Sequence, residues 1–257
     1  MANVEGAPCW FELATSDQPA AKKFYTGLLG WTADDSPMGP GQFYTMFRLD
    51  GKDTGAAYTL MPDMAAAGVP PHWGVYFLAM DIDATTAKVS GLGGSVVNGP
   101  FDVMNVGRMS ICKDPGGAVF CLWQPKERSA NVLYGEDNSV CWTELATRDV
   151  PQARDFYSAL LGWQTKGSEN MATYLEFSVA GRPSGGLLPM DENWGSIPSH
   201  WGIYFKVADC DATIAKAQAM GAKVLMGPHD APGVGRLAIL DDPQGAKFSV
   251  IKLAASM

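Results

Sequence analysis

Apolar and polar positions along the chain alternate in short runs, switch to a helical spacing, and then return to short runs. Cys9-Trp10-Phe11-Glu12-Leu13 predicts a short strand rich in aromatic residues. Ala21, Phe24, Tyr25, Leu28 and Leu29 then share one broad face of a helix. Asp17 is placed to cap that helix, Pro19 is tolerated in its first turn, and Gly30 can close it in the left-handed conformation. Strands follow at Phe43–Leu49 and Ala56–Met61, joined by the turn-like Asp50-Gly51-Lys52-Asp53. A second series opens with a strand over Trp73–Met80 and a helix from Asp83 that ends near Gly91–Gly94. Its strands are predicted at Ser95–Val97, Arg108–Cys112 and Ala118–Trp123, the last two joined by the tight turn Asp114-Pro115-Gly116-Gly117. The Gly-Gly pairs at 93–94, 116–117 and 185–186 all read as turns.

The second half of the chain repeats the first. CWFELATSDQPAAKKFYTGLLGW from Cys9 answers CWTELATRDVPQARDFYSALLGW from Cys141, with 15 of 23 positions identical. HWGVYFLAMDIDATTAK from His72 answers HWGIYFKVADCDATIAK from His200, and GRMSICKDPGGAVFC from Gly107 answers GRLAILDDPQGAKFS from Gly235. The repeat is too long for a solenoid unit, so each half is expected to be a globular domain. The expected boundaries are 1–125 for the first domain, 126–138 for a linker starting in Pro125-Lys126-Glu127-Arg128-Ser129-Ala130, and 139–257 for the second. In the second half Asp149 and Pro151 mark the first helix start, and Asp211 the second. Strand, helix and three strands, twice per half, give an α+β fold with helices laid on mostly antiparallel sheets.

Composition narrows the function classes. Lys plus Arg is 19 against 27 for Asp plus Glu, a net charge of -8, and no basic run exists. Nucleic acid and anionic membrane surfaces are therefore poor partners. The first six residues look like no signal peptide, and no run approaches 18 apolar residues. The five cysteines are odd in number and form no C-x-x-C pair. A cytoplasmic protein with reduced thiols is the expectation. No nucleotide-binding, zinc-protease or serine-hydrolase motif occurs.

The phrases D-x-P-x-A-x-x-F-Y-x-x-L-L-G-W, Y-F-x-x-x-D-x-D-A-T-x-A-K and G-R-x-x-x-x-x-D-P-x-G-x-x-F, each present twice, carry a family resemblance. The chain resembles the vicinal oxygen chelate superfamily, the group of glyoxalases, bleomycin-resistance proteins and extradiol dioxygenases. The resemblance implies tandem domains, each of two βαβββ modules forming an open, mostly antiparallel barrel with helices outside and a cleft on the concave side. It also implies positions for metal ligands. On the first strand these fall at Trp10 and Trp142, on the fifth near Val75 and Ile203, and on the eighth at Cys121 and Ser249. The fourth strand offers no Glu in Ala56–Met61 or Gly186–Met190. No metal and no other cofactor is therefore expected. With only His72, His200 and His229 in the chain, a two-histidine iron site has few imidazoles to draw on.

Candidate catalytic residues remain. Glu12 and Glu144 lie two residues after Trp10 and Trp142, so each pair shares a strand face and sets a carboxylate beside an aromatic wall. His72 and His200, each before a Trp at a strand start, are candidate bases or backbone-bonded structural residues. Candidate ligand-binding residues are Trp10, Trp142, Tyr76, Tyr204, Arg108, Arg236 and His229, the last in a stretch where the first half has Phe101. Tyr44, Tyr58 and Tyr174 add aromatic surface, while Met38, Met46, Met61, Met64 and Met80 read as core filling.

The expected function is metal-independent binding of a small hydrophobic or aromatic molecule in a barrel cleft, by a monomer or homodimer. Two alternatives stay open: a glyoxalase- or dioxygenase-like lyase or hydroxylase active in one half, and a scaffold whose clefts are filled by its own side chains.

Overall fold

The computed structural model describes residues 4–126, 132–168, 171 and 173–254. The first half runs β1 (Pro8–Thr15), α1 (Gln18–Leu29), β2 (Thr32–Gly39), β3 (Gln42–Leu49), β4 (Lys52–Thr59) and a short α2 (Pro62–Ala66). It continues with β5 (His72–Leu78), α3 (Ile82–Gly91), β6 (Ser95–Val103), β7 (Gly107–Lys113) and β8 (Val119–Pro125). The second half repeats this as β9 (Val140–Thr147), α4 (Val150–Leu161), β10 (Gln164–Gly167), β11 (Leu175–Val179) and β12 (Arg182–Pro189). After a single 3-10 turn at Glu192–Trp194 come β13 (His200–Lys206), α5 (Cys210–Ala219), β14 (Lys223–Ala231), β15 (Gly235–Asp241) and β16 (Lys247–Leu253). The strands form two eight-stranded mixed sheets, ordered β2-β3-β4-β1-β5-β8-β7-β6 and β10-β11-β12-β9-β13-β16-β15-β14. The expected βαβββ modules and the α+β class are both present. No helix among the described residues is long and apolar enough to cross a membrane.

Local chemistry explains the helix ends. Asp17 and Asp149 accept from the N–H groups of Ala20 and Gln152, capping α1 and α4. Gly30 and Gly162 end the same helices in the left-handed conformation. The second helix of each half starts earlier than expected. Asp81 and Asp209 are the caps, accepting from Ala84 and Ala212. Asp83 and Asp211, the expected starts, lie in the first turns and pair instead with Arg108 and Arg236.

Three other expectations change. The polar strand Thr32–Gly39 had no apolar alternation to announce it, because as an edge strand it is mostly exposed. Gly185-Gly186 lies inside β12 rather than in a turn. Met38 and Met80 are exposed, so they fill no core. Of the expected linker, residues 127–131 lie outside the described residues. Val132 is buried, and Leu133 donates its N–H to the Asp53 carbonyl (2.8 Å).

Among the described residues the chain divides into two compact units. One holds the stretch up to Trp10, Gly74 to Lys126 and Trp142 to Gly202. The other holds Phe11–Trp73, Val132–Cys141 and Ile203 onward. Each unit thus takes one βαβββ module from each half, and each has an aromatic core. In the first, Phe77, Phe120, Tyr157, Trp163, Phe177 and Trp201 pack edge-on and stacked, with Trp163 and Phe177 rings 3.8 Å apart. In the second, Tyr25, Trp31, Phe47, Trp73, Phe205 and Phe248 do the same. Such ring pairs add about 0.5–1.5 kcal/mol each beyond area burial.

Candidate functional site

A polar constellation on an aromatic surface is built from β9, β11 and β12. Alternation along β9 buries Cys141, Thr143 and Leu145 and turns Trp142 and Glu144 to the other face, where both are half-buried. Glu144 stands opposite Gly186 in the parallel β9–β12 pair, and Gly186 stands opposite Glu176 in the antiparallel β12–β11 pair. Cross-strand partners share a face. Glu144 and Glu176 therefore flank a position that has no side chain.

Tyr174, just before β11, uses that gap. Its hydroxyl accepts from the Trp142 indole N–H (2.8 Å) and donates to Glu144 Oε2 (2.9 Å). A Cβ built on Gly186 would collide with the Tyr174 Oη and Cζ, so the phenol lies directly over this glycine. Burial, followed by the negative charge of Glu144, pushes the Tyr174 phenol far above the ordinary tyrosine value, so it remains a donor at all working pH. Glu176 pairs with Lys166 (3.0 Å), whose side chain is largely exposed.

In the first half the equivalent row is Glu12, Ala56 and Met46, and Tyr44 pairs with Tyr58 two residues along. Trp10 packs with Met109, Ile111 and Trp123 against a buried cluster of Cys9, Tyr76, Leu78 and Cys121. Burial, then the neighbouring Cys121, raises the Cys9 thiol well beyond the ordinary range, while burial pushes Cys112 up to about 12. These thiols are inert hydrophobes rather than nucleophiles. Tyr204 is buried and paired with Ser249 across β13 and β16.

The remaining candidates have local partners. His72 Nδ1 and His200 Nδ1 each sit 2.8 Å from a carbonyl two residues earlier, those of Pro70 and Pro198. Arg108 binds Asp83 through its Nη1 and Nη2, and its Nε lies 3.7 Å from Asp102. Arg236 binds Asp211 and Asp230. These carboxylates hold both guanidinium groups above the usual arginine value, and each arginine ties its strand to the first turn of a helix. His229 is exposed on the edge strand β14, opposite Leu237. The structure therefore joins Trp142 to Glu144 through Tyr174, a residue the sequence offered only as aromatic surface. The period-two spacing of Tyr174 and Glu176 was the available signal, but its meaning depends on the register of β11 against Gly186.

The donor set does not fit a metal centre. Among the described residues no three His, Cys, Asp or Glu side chains converge on one point. The positions to which the family resemblance assigns ligands hold Trp10, Val75 and Cys121 in one half, and Trp142, Ile203 and Ser249 in the other. An indole or an aliphatic side chain has no lone pair to offer a metal.

Known proteins match this chain over nearly its whole length. It is 43% identical over 253 residues to "Putative glyoxylase CFP32" of Mycobacterium tuberculosis, covering 97% of this chain and 96% of that one. It is 39% identical over 265 residues to "Anthracycline biosynthesis protein DnrV" of Streptomyces peucetius, covering 96% and 94%. Among solved structures, the 2,3-dioxygenase LapB of Pseudomonas sp. KL28 aligns at a TM-score of 0.66 with 12% identity, covering 97% of this chain and 93% of that one. The Mn(II)-bound glyoxalase of Novosphingobium aromaticivorans aligns at 0.64 with 14% identity, covering 98% and 85%. At such identities the likeness is one of fold. The model of one family matches residues 9–122 and again 139–250. The chain belongs to the Glyoxalase/Bleomycin resistance protein/Dioxygenase superfamily, as a tandem member.

Proposed function

We propose that the chain binds a small aromatic molecule on the Trp142 face of its second half, and that it does so without a metal. The observation that carries this reading is the hydrogen-bonded chain from Trp142 through Tyr174 to Glu144. It presents an indole ring, a phenol ring and an oriented carboxylate on one sheet face. A planar ligand stacks on the indole, and a polar substituent finds the carboxylate, a combination that fixes orientation as well as affinity. A relative named for anthracycline biosynthesis points the same way, toward aromatic ring systems as ligands. The ligand positions on the first and fifth strands argue for metal independence, since they carry tryptophan and aliphatic residues in both halves.

A second reading, catalysis, draws on the same residues. Tyr174 fixes the Glu144 carboxylate by a hydrogen bond, and a positioned carboxylate can remove a proton from a bound substrate. Relatives named as putative glyoxylases lend this weight.

The test is a tryptophan-fluorescence titration with 2-naphthol, run on protein freed of metal by a chelator. Saturable quenching at micromolar to millimolar ligand is expected, and it should be unchanged when Mn(II) or Fe(II) is restored. No saturation, or saturation only with metal present, contradicts the proposal. Turnover of a candidate substrate by the metal-free protein, abolished in Glu144→Gln, would favour the catalytic reading.

A further inference from the structure

Three strands of the first half carry an apolar grid. Across β5, β8 and β7 one row is Leu78, Trp123 and Met109, and the next is Tyr76, Cys121 and Ile111. Cross-strand partners share a face, so all six side chains lie on one side of the sheet. No charged residue falls in either row. The other side of β7 is closed by α3, where Ser110 bonds to Thr86 (2.8 Å). Cys9, Tyr76, Leu78 and Cys121 form a buried floor, and Trp10, Met109, Ile111 and Trp123 stand on it half-buried.

Gly107 flattens one end of this surface. A Cβ there would collide with Cζ2 and Cη2 of Trp123, so the indole lies against the bare backbone of β7. Gly107, Met109 and Ile111 follow one another on a single strand face. They mark out a strip about 13 Å long, close to the span of an extended decyl chain. At the equivalent positions the second half has Lys206, Ile251 and Leu237, then Tyr204, Ser249 and Ile239. Lys206 brings a charge into its row and pairs with Asp137 (3.0 Å). The flat indole and the uncharged grid are features of the first half.

We infer that this strip is a second binding site, for an uncharged alkyl chain, distinct from the Trp142 face. The attraction it offers is burial of apolar surface, and the thioether of Met109 is flexible enough to follow the chain. A charged group would lose its water without meeting an opposite charge in either row. Half-burial of the four upper side chains sets the strip back from the surface, which suits a slim chain better than a protein face. Its length along the strands favours a chain over a compact ring. Gly107 is the residue that shapes it, by giving the Trp123 indole its seat.

The experiment is calorimetric titration of 1-hexanol, 1-heptanol and 1-octanol into wild type, Gly107→Ala, Met109→Gln and Trp142→Ala. Methionine-methyl and indole N–H resonances of labelled wild type are followed in parallel. One saturable site is expected, tightening about fourfold with each methylene, as burial of one more CH₂ implies. The Met109 methyl and the Trp123 N–H should shift with the same midpoint. Gly107→Ala and Met109→Gln should each weaken 1-octanol about tenfold, and Trp142→Ala should leave its affinity unchanged, because every residue of the grid belongs to the first half. Met109→Gln keeps the length of a half-buried side chain, so it carries the test even if Gly107→Ala folds poorly. Affinity that does not rise with chain length, binding that moves neither Met109 nor Trp123, or equal weakening by Trp142→Ala would overturn the proposal.

Discussion

Tyr25 donates its phenolic proton to Asp242 across 3.0 Å and 217 residues of sequence, and it accepts the indole N–H of Trp73 at 3.0 Å. Tyr157 repeats the arrangement with Asp114 (3.1 Å) and Trp201 (3.0 Å). The F-Y of the first helix, the H-W of the fifth strand and the D-P of the hairpin turn thus recur because they meet. Each node takes its tyrosine and tryptophan from one half and its aspartate from the other. Both aspartates also hold their own turns: Asp242 accepts from the N–H groups of Gln244 and Ala246, and Asp114 from that of Ala118.

Removing one phenolic oxygen leaves a buried indole donor and a buried carboxylate oxygen without their shared partner. Tyr25→Phe and Tyr157→Phe are each expected to cost about 1–3 kcal/mol, the penalty for orphaned buried polar groups. Urea denaturation measures it. A loss of less than a few tenths of a kcal/mol, about the size of a bare surface substitution, would show that the node contributes little.

Burial pushes the carboxyls of Asp114 and Asp242 above the usual aspartate value, against the pull of the donors around them. A group whose folded-state pKa is raised holds its proton more tightly when folded. Its stabilising contribution is complete below about pH 4, the unfolded value, and shrinks as pH rises through the folded one. Asparagine does not titrate. The stability gap between wild type and Asp242→Asn is therefore expected to be widest near pH 4 and to narrow toward neutrality. Paired urea curves at the two pH values decide it, and a gap that widens toward neutrality contradicts the assignment.

Two glycines separate space from backbone conformation. A Cβ on Gly185 would overlap the Thr143 carbonyl and the Phe177 ring, both fixed in the sheet and its core. A Cβ on Gly30 meets nothing, and only its left-handed φ of 73° opposes substitution. Gly185→Ala is expected to cost about 3 kcal/mol or more, and Gly30→Ala about 1 kcal/mol. Equal thermal shifts for the two variants would refute this ordering.

Much of the architecture was legible in the sequence because it is written in local chemistry. Asp17, Pro19 and Gly30 bound the first helix by capping rules, and the internal repeat doubled every signal. The shared face of Trp142 and Glu144 followed from period two alone. What escaped depends on register and on distant partners. Asp81 and Asp83 are both plausible caps until Arg108 claims the second. Gly185-Gly186 reads as a turn until Phe177 and Tyr174 are seen lying over it. Tyr174 becomes part of the site only through the pairing of β11 with β12, which no local pattern announces.

The most direct measurement for the account as a whole is the affinity of 2-naphthol, by calorimetry, for wild type and Trp142→Ala before and after metal stripping. Wild type is expected to bind with the same affinity in both states, and Trp142→Ala to bind about tenfold more weakly, as the loss of an aromatic stacking partner implies. Wild-type binding that disappears on stripping and returns with Mn(II), or a Trp142→Ala variant that binds as well as wild type, would contradict a metal-independent aromatic site on this face.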